Sequence, residues 1–240
     1  MKIFNKQRLQ FLKKSSMSKY IGYAIGEIVL VIIGILIALG INNWNQDKQL
    51  KRANVVLQQK VLKQLDIDIE TISDFKKELD TLQQVYLKTL DRPYDKSKVG
   101  EEGLISTLLF EVNTLTLDNH IINLVDNAEL EVSSASEQLI DLSSTYKIYR
   151  KDIDDIEKII FEKTTNNLKE IEKTEDWYIE FITDFICKND CINYLLNNKD
   201  HKARIASLRF LYIVGYDSII DNFQNDLLKS KEQLLKALSK

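Results

Sequence analysis

The run Tyr20–Ile41, YIGYAIGEIVLVIIGILIALGI, constrains this chain more than any other stretch, because a helix that is apolar all round belongs in a protein core or a membrane. Its one ionisable residue is Glu27. About 21 residues rising 1.5 Å each cover the roughly 30 Å of a hydrocarbon core. The sequence therefore predicts a transmembrane helix over 20–41, a basic tail over 1–19 and an extramembrane domain over 42–240. A cleaved signal peptide shares the basic start and apolar core. Its apolar part is shorter, however, at about 7–15 residues, and no A-x-A-like site precedes Asn42.

Flanking charge sets the expected orientation. Lys2, Lys6, Arg8, Lys13, Lys14 and Lys19 precede the span with no acid among them, whereas Lys48, Lys51 and Arg52 follow it beside Asp47. The positive-inside rule places the N-terminus in the cytoplasm and the bulk outside, which in a Gram-negative cell is the periplasm. Tyr20 and Tyr23 at one end and Trp44 at the other suit the two interfaces. The chain as a whole is −3; the tail contributes +6 and Glu27 −1, which leaves −8 for residues 42–240. An acidic exterior domain argues against nucleic acid as a partner, since that needs a clustered basic face. The tail is either a topology signal or, through Ile3, Phe4, Leu9, Phe11 and Leu12, a short amphipathic turn on anionic headgroups.

Within the span, Gly22, Gly26, Gly34 and Ala38 fall on successive i+4 positions, with Leu30 between the pairs. Two small-xxx-small pairs on one ridge let helices approach closely, so the span is expected to form a homo-oligomer, with Glu27 near the same seam. Glu27 either takes part in that packing or in binding a membrane partner, or is an interfacial acid tolerated near the cytoplasmic end.

The segment Ser18–Lys48, SKYIGYAIGEIVLVIIGILIALGINNWNQDK, resembles the start of a family of uncharacterised bacterial single-span membrane proteins known only as a domain of unknown function. The resemblance is carried by Ser18–Tyr20, Ala24–Glu27, Gly34–Leu39 and Asn42–Asn45. Related proteins carry a leucine-and-glycine element before a helix ending in tyrosines. Its nearest counterpart here is Leu124–Tyr146, with Ala128 in place of glycine. The resemblance implies a membrane-anchored helical protein and supplies no catalytic residues.

Beyond the span the chain reads as all-α. Residues 42–240 hold only Gly100, Gly103 and Gly215 as glycines, and Pro93 is the sole proline. Phosphate loops, nucleophile elbows and dinucleotide folds need glycine at tight turns, so an enzyme of those kinds is not expected. One long helix can run from the membrane to about Leu90, on a seam of Val55, Leu62, Leu65, Ile69, Ile72 and Leu79 interrupted by Gln58 and Lys76. A loop follows at 91–103, then short helices near 101–112 and 117–127. Ser134-x-x-Glu137 offers a capping box for a helix to about 172, with Leu139, Leu142, Tyr146, Tyr149, Ile153, Ile156 and Ile160 as a heptad seam. A helix over 176–188 and a last one over 199–238, with Ile205, Leu208, Tyr212, Gly215 and Ile219 inward, complete the expectation. Together these predict one N-terminal transmembrane helix continuing into an elongated antiparallel bundle of four main helices.

Residues that carry chemistry are few. Cys187 and Cys191, in CKNDC, can close a disulfide in an oxidising compartment if the intervening residues turn the chain, and stay as two thiols if the helix is continuous. His120 and His201 are the only histidines, and Asp66, Asp68 and Glu70 lack the glycine and downstream glutamate of a calcium loop, so no metal and no cofactor is expected. Tyr146 with Tyr149, and Trp177 with Tyr178, read as core aromatics or as the lining of a ligand pocket.

Two function classes remain. The first is a non-enzymatic interaction or structural protein, an inner-membrane anchor whose partner lies in the membrane or periplasm. The second is a sensor or ligand-binding module that signals through a separate membrane partner, because a cytoplasmic tail of about 19 residues has no room for an output domain.

Overall fold

The computed structural model describes residues 17–99 and 104–238. The basic tail up to Ser16, with the turn expected from Ile3 to Leu12, lies outside the described residues, as do Gly100 and Gly103 of the predicted loop. Among the described residues every regular element is helical and none is a strand. The chain divides into two compact units, Met1–Asn54 and Val55–Lys240, and helix α1, Met17–Thr89, supplies residues to both.

In the first unit α1 is long and apolar enough to cross a membrane, by length and composition. Its large apolar side chains between Ile21 and Trp44 are all 44–67% exposed, so no other part of the described chain covers them.

In the second unit α1 ends where Asp91 enters the left-handed region at φ 54°. The N–H of Arg92 closes on the carbonyl of Leu87 at 2.9 Å, and Pro93 prevents the helix from resuming. After a 3-10 turn at Lys96–Lys98 come α2, Leu104–Leu109, and α3, His120–Asp126. Both are shorter than expected, and residues 110–119 between them form no helix. Helix α4 spans Ser134–Thr174. Its N-cap is Ser133, whose Oγ accepts the N–H of Ser136 at 3.2 Å, one residue before the expected capping box at Ser134.

Helix α5, Trp177–Asp184, stops short of the predicted 188 because Phe185 takes φ 57°. A further helix that the periodicity did not reveal, α6 at Asn189–Asn197, follows it. The C-terminal stretch is continuous from Lys199 to Leu238 but has three parts: α7, Lys199–Arg209, a π-helical turn, Phe210–Tyr216, and α8, Asp217–Leu238.

The core of the second unit has three long helices rather than four: residues 55–89 of α1, α4, and the α7–α8 stretch. Contacts fix their directions. Asp66 pairs with Lys231, Lys76 with Asp221, and the rings of Phe75 and Tyr86 pack against those of Tyr216 and Tyr212, so α1 runs antiparallel to the C-terminal stretch. Tyr149 meets Asp226 and Glu157 meets Tyr216, so α4 is antiparallel to it as well. Helices α1 and α4 are therefore parallel, which is why residues 90–133 must carry the chain back before α4 begins.

The α1 seam differs from the sequence expectation by one position in every other layer. Leu65, Ile72 and Leu79 are buried as expected, but the alternate layer is Val61, Asp68, Phe75 and Leu82, while Val55 is 47% exposed. An acid at a core position hid this register. Asp68 is 3% exposed and accepts Tyr146 Oη at 2.6 Å and Gln64 Nε2 at 2.8 Å. The C-terminal seam shifts similarly. Ile205, Leu208 and Tyr212 are buried as expected, but Tyr216 and Ile220 follow in place of Gly215 and Ile219, because the π turn accommodates an extra residue. Gly215 still lies against α4, where an added Cβ would stand 3.4 Å from Ile156 Cδ1.

Tyr146→Phe removes the main donor to a buried carboxylate and is expected to cost about 1–3 kcal/mol. Tyr149→Phe, which loses only an exposed bond to Asp226, should cost under about 1 kcal/mol. Thermal melts of the two variants by circular dichroism test this contrast.

Candidate functional site

The residues expected to pack the span are all exposed on α1. An added Cβ at Gly22, Gly26 or Gly34 would meet no atom within 4 Å, and Glu27 and Ala38 are exposed on the same helix. Beyond them Lys48 Nζ lies 5.1 Å from the centre of the Trp44 ring, a cation–π pair one turn apart.

In the second unit one polar cluster forms where the returning segment 113–117 meets α4 and the π turn. The π turn brings Tyr212 and Tyr216 onto one face, with ring centres 6.4 Å apart. Asn113 donates its N–H to Tyr212 Oη at 3.0 Å. Leu115 donates to Tyr216 Oη at 2.8 Å and to Glu157 Oε1 at 3.0 Å, and the Tyr216 hydroxyl donates to the same Glu157 oxygen. Arg150 Nη1 donates to the carbonyl of Leu117 at 3.1 Å. Backbone groups that no helix satisfies thus find side-chain partners.

Burial pushes the carboxyls of Asp68 and Glu157 above their ordinary range, against hydrogen bonds that hold them down. Burial, reinforced by the neighbouring acids, also raises the Tyr146 and Tyr216 hydroxyls, and raises that of Tyr149 to about 12. Each of these acids is engaged by a tyrosine from another helix, so the pairs fasten helices together.

The acids of LDIDIE do not converge. Asp66 is exposed and paired with Lys231, Asp68 is buried, and Glu70 is exposed. Among the described residues no group of three His, Cys, Asp or Glu side chains is placed to hold a metal ion. The candidate pocket aromatics are packed instead. Tyr146 meets Phe223 edge-on at 5.2 Å and Tyr149 stacks on it at 4.8 Å, and Trp177 contacts Phe181 and Tyr194 at 6.2 and 5.5 Å.

The two histidines separate. His120 is exposed at the start of α3, whereas His201, in the first turn of α7, is 1% exposed. The His201 ring lies 5.2 Å from that of Tyr194, and neither ring nitrogen has a hydrogen-bond partner. Burial, with Arg204 beside it, holds the imidazole neutral down to about 4.

Cys187 and Cys191 are joined by a disulfide, with Cα atoms 5.3 Å apart. The turn comes earlier than the residues between them. Phe185 is left-handed, Lys188 is extended, and α6 begins at Asn189, so Cys191 lies in its first turn and is 1% exposed.

Residues 27–114 match the model described as Family of unknown function (DUF6090). The match takes in Glu27, the Gly34–Leu39 and Asn42–Asn45 blocks, the rest of α1 and α2, and stops before α4. It is consistent with the resemblance to an uncharacterised family. No curated protein and no solved structure matches the chain.

Closing a five-residue loop removes about 2 kcal/mol of unfolded-state entropy. Cys191→Ser is therefore expected to lower the melting temperature, and non-reducing mass spectrometry of the parent should find a linked peptide; quantitative alkylation of both thiols contradicts this. His201 gives a pH signature. Its folded pKa, about 4, lies below the unfolded 6.5, so between these values only the unfolded chain takes the proton and stability rises with pH. Across that window His201→Phe should abolish up to about 3 kcal/mol of pH dependence, read as the difference in melts between pH 4.5 and pH 7.

Proposed function

We propose that this chain is a single-pass protein of the bacterial inner membrane, its N-terminus cytoplasmic and its second unit periplasmic, serving as a non-enzymatic module for protein interaction or structural support. The observation that carries this is the contrast within α1. The apolar side chains from Ile21 to Ile41 are exposed throughout, while from Val61 onward the same helix buries its seam. In water such a stretch has no place, and in a bilayer it needs none. Trp44 and Lys48 together suit the far headgroup region.

A non-enzymatic role is supported by the use already made of the buried acids. Asp68 and Glu157 are held by tyrosines that join helices, and so are committed to the fold. The exposed ridge of Gly22, Gly26, Gly34 and Ala38 is the surface through which the span would pair with a second copy or a membrane partner. In-cell crosslinking of the tagged full-length protein, with mass spectrometry of what co-purifies, tests the role. A single dominant membrane or periplasmic partner supports an interaction module; recovery of self-crosslinked chain alone contradicts it. Gly26→Ile should cut span self-association several-fold in a membrane two-hybrid assay, and unchanged pairing would sink the ridge as the interface.

A further inference from the structure

At the α5–α6 elbow the second unit turns five large apolar residues outward within one short stretch of chain. Ile179 is 75% exposed, Ile182 42%, Phe185 81%, Ile186 55% and Ile192 44%. Ile179 and Ile182 lie three residues apart on one face of α5, and Ile186 follows the turn that ends the helix at Asp184. Phe185 occupies the left-handed region, which a bulky L residue adopts at a cost of about 1 kcal/mol or more. That conformation presents the ring to solvent instead of folding it into the core.

The disulfide fastens the elbow. It joins Cys187, next to Ile186, to Cys191, next to Ile192, and so ties the segment after α5 to the first turn of α6. Beneath the surface Phe181 stacks on Phe110 at 5.9 Å, and Cys191 and Tyr194 are buried. The patch is therefore pre-shaped, which lowers the ordering cost of binding.

Charge identifies the occupant. Between Asp176 and Ile192 the chain carries Asp176, Glu180, Asp184 and Asp190 against Lys188 alone, a net charge of −3. Lys188 is engaged by Glu180, which leaves Asp176, Asp184 and Asp190, all exposed, interspersed along the chain with the apolar residues. Such an acidic setting repels an anionic lipid surface and attracts lysine and arginine. We propose that this elbow is a docking surface for a basic amphipathic segment of a partner protein, apolar along the contact and cationic at its edges. The assignment rests on the interaction-module role proposed above and gives it a site and a partner chemistry.

The test uses the full-length protein in phosphatidylcholine nanodiscs, with benzoylphenylalanine replacing Phe185 or, as a reference on α4, the exposed Ile148. The probe is an amphipathic helical peptide of leucine and lysine, compared with its leucine–glutamate counterpart. Saturable crosslinking at position 185, at least about tenfold stronger for the lysine peptide and weak at 148, is the expected result. Ile179→Ser with Ile182→Ser should lower it about tenfold at an unchanged circular-dichroism melt. Should that variant unfold, Asp184→Asn with Asp190→Asn gives the second readout, a narrowed preference between the two peptides. Equal labelling at 185 and 148, equal response to both peptides, or adducts to lipid in place of peptide overturns the proposal. The same two photoprobes used in cells separate the two levels: a partner captured at 148 and not at 185 keeps the interaction module and removes this site, whereas no partner at either position removes the module first.

Discussion

The constraint on which the rest depends is the apolar surface of α1 up to Trp44. Fifteen large side chains from Ile21 to Trp44 stand exposed. Burying each is worth about 1.5–3 kcal/mol, so their transfer from water to hydrocarbon is worth on the order of 20 kcal/mol or more. Glu27 opposes this by a few kcal/mol even at the bilayer centre, and it lies near the end of the stretch. Hydrophobic transfer outweighs that cost by a wide margin, which is what makes this helix a candidate membrane span.

The second unit solves a different problem. Its two parallel helices, α1 and α4, require the chain to come back between them, and residues 110–119 return without helical hydrogen bonds of their own. Tyr212, Tyr216, Glu157 and Arg150 supply the missing partners. Tyr212 and Tyr216, four residues apart in the π turn, stand on the same side with ring centres 6.4 Å apart. Buried polar groups here stabilise only as complete pairs, and each pair spans two elements. Acid and tyrosine therefore do in this core what glycine turns and short loops do in simpler bundles.

Much of this was legible in the sequence, and the failures have specific causes. The long helices, the break before Pro93 and most of the α4 seam follow from periodicity and breakers. The α1 register escapes periodicity because Asp68 sits where an apolar residue is expected, and its tyrosine partner lies 78 residues away. Spacing alone carried a clue, since Asp68 stands three residues after Leu65 and four before Ile72. The π turn has no sequence signature beyond Gly215, so the C-terminal seam was lost at that point. Neither the end of α5 at a phenylalanine nor the burial of His201 in the first turn of α7 follows from composition. Ala128, at the position where the resemblance leads one to expect glycine, has no positive φ, so that position places no demand for glycine here.

The central claim is that the apolar part of α1 lies in the membrane with the second unit on its outer side. Protease added to intact spheroplasts expressing the full-length chain, followed by carbonate extraction, tests it most directly. The claim predicts loss of the second unit to protease and retention of an N-terminal fragment, ending near Asn54, in the carbonate-resistant membrane. Release of intact chain by carbonate, or full protection from protease until the membrane is opened, would contradict it.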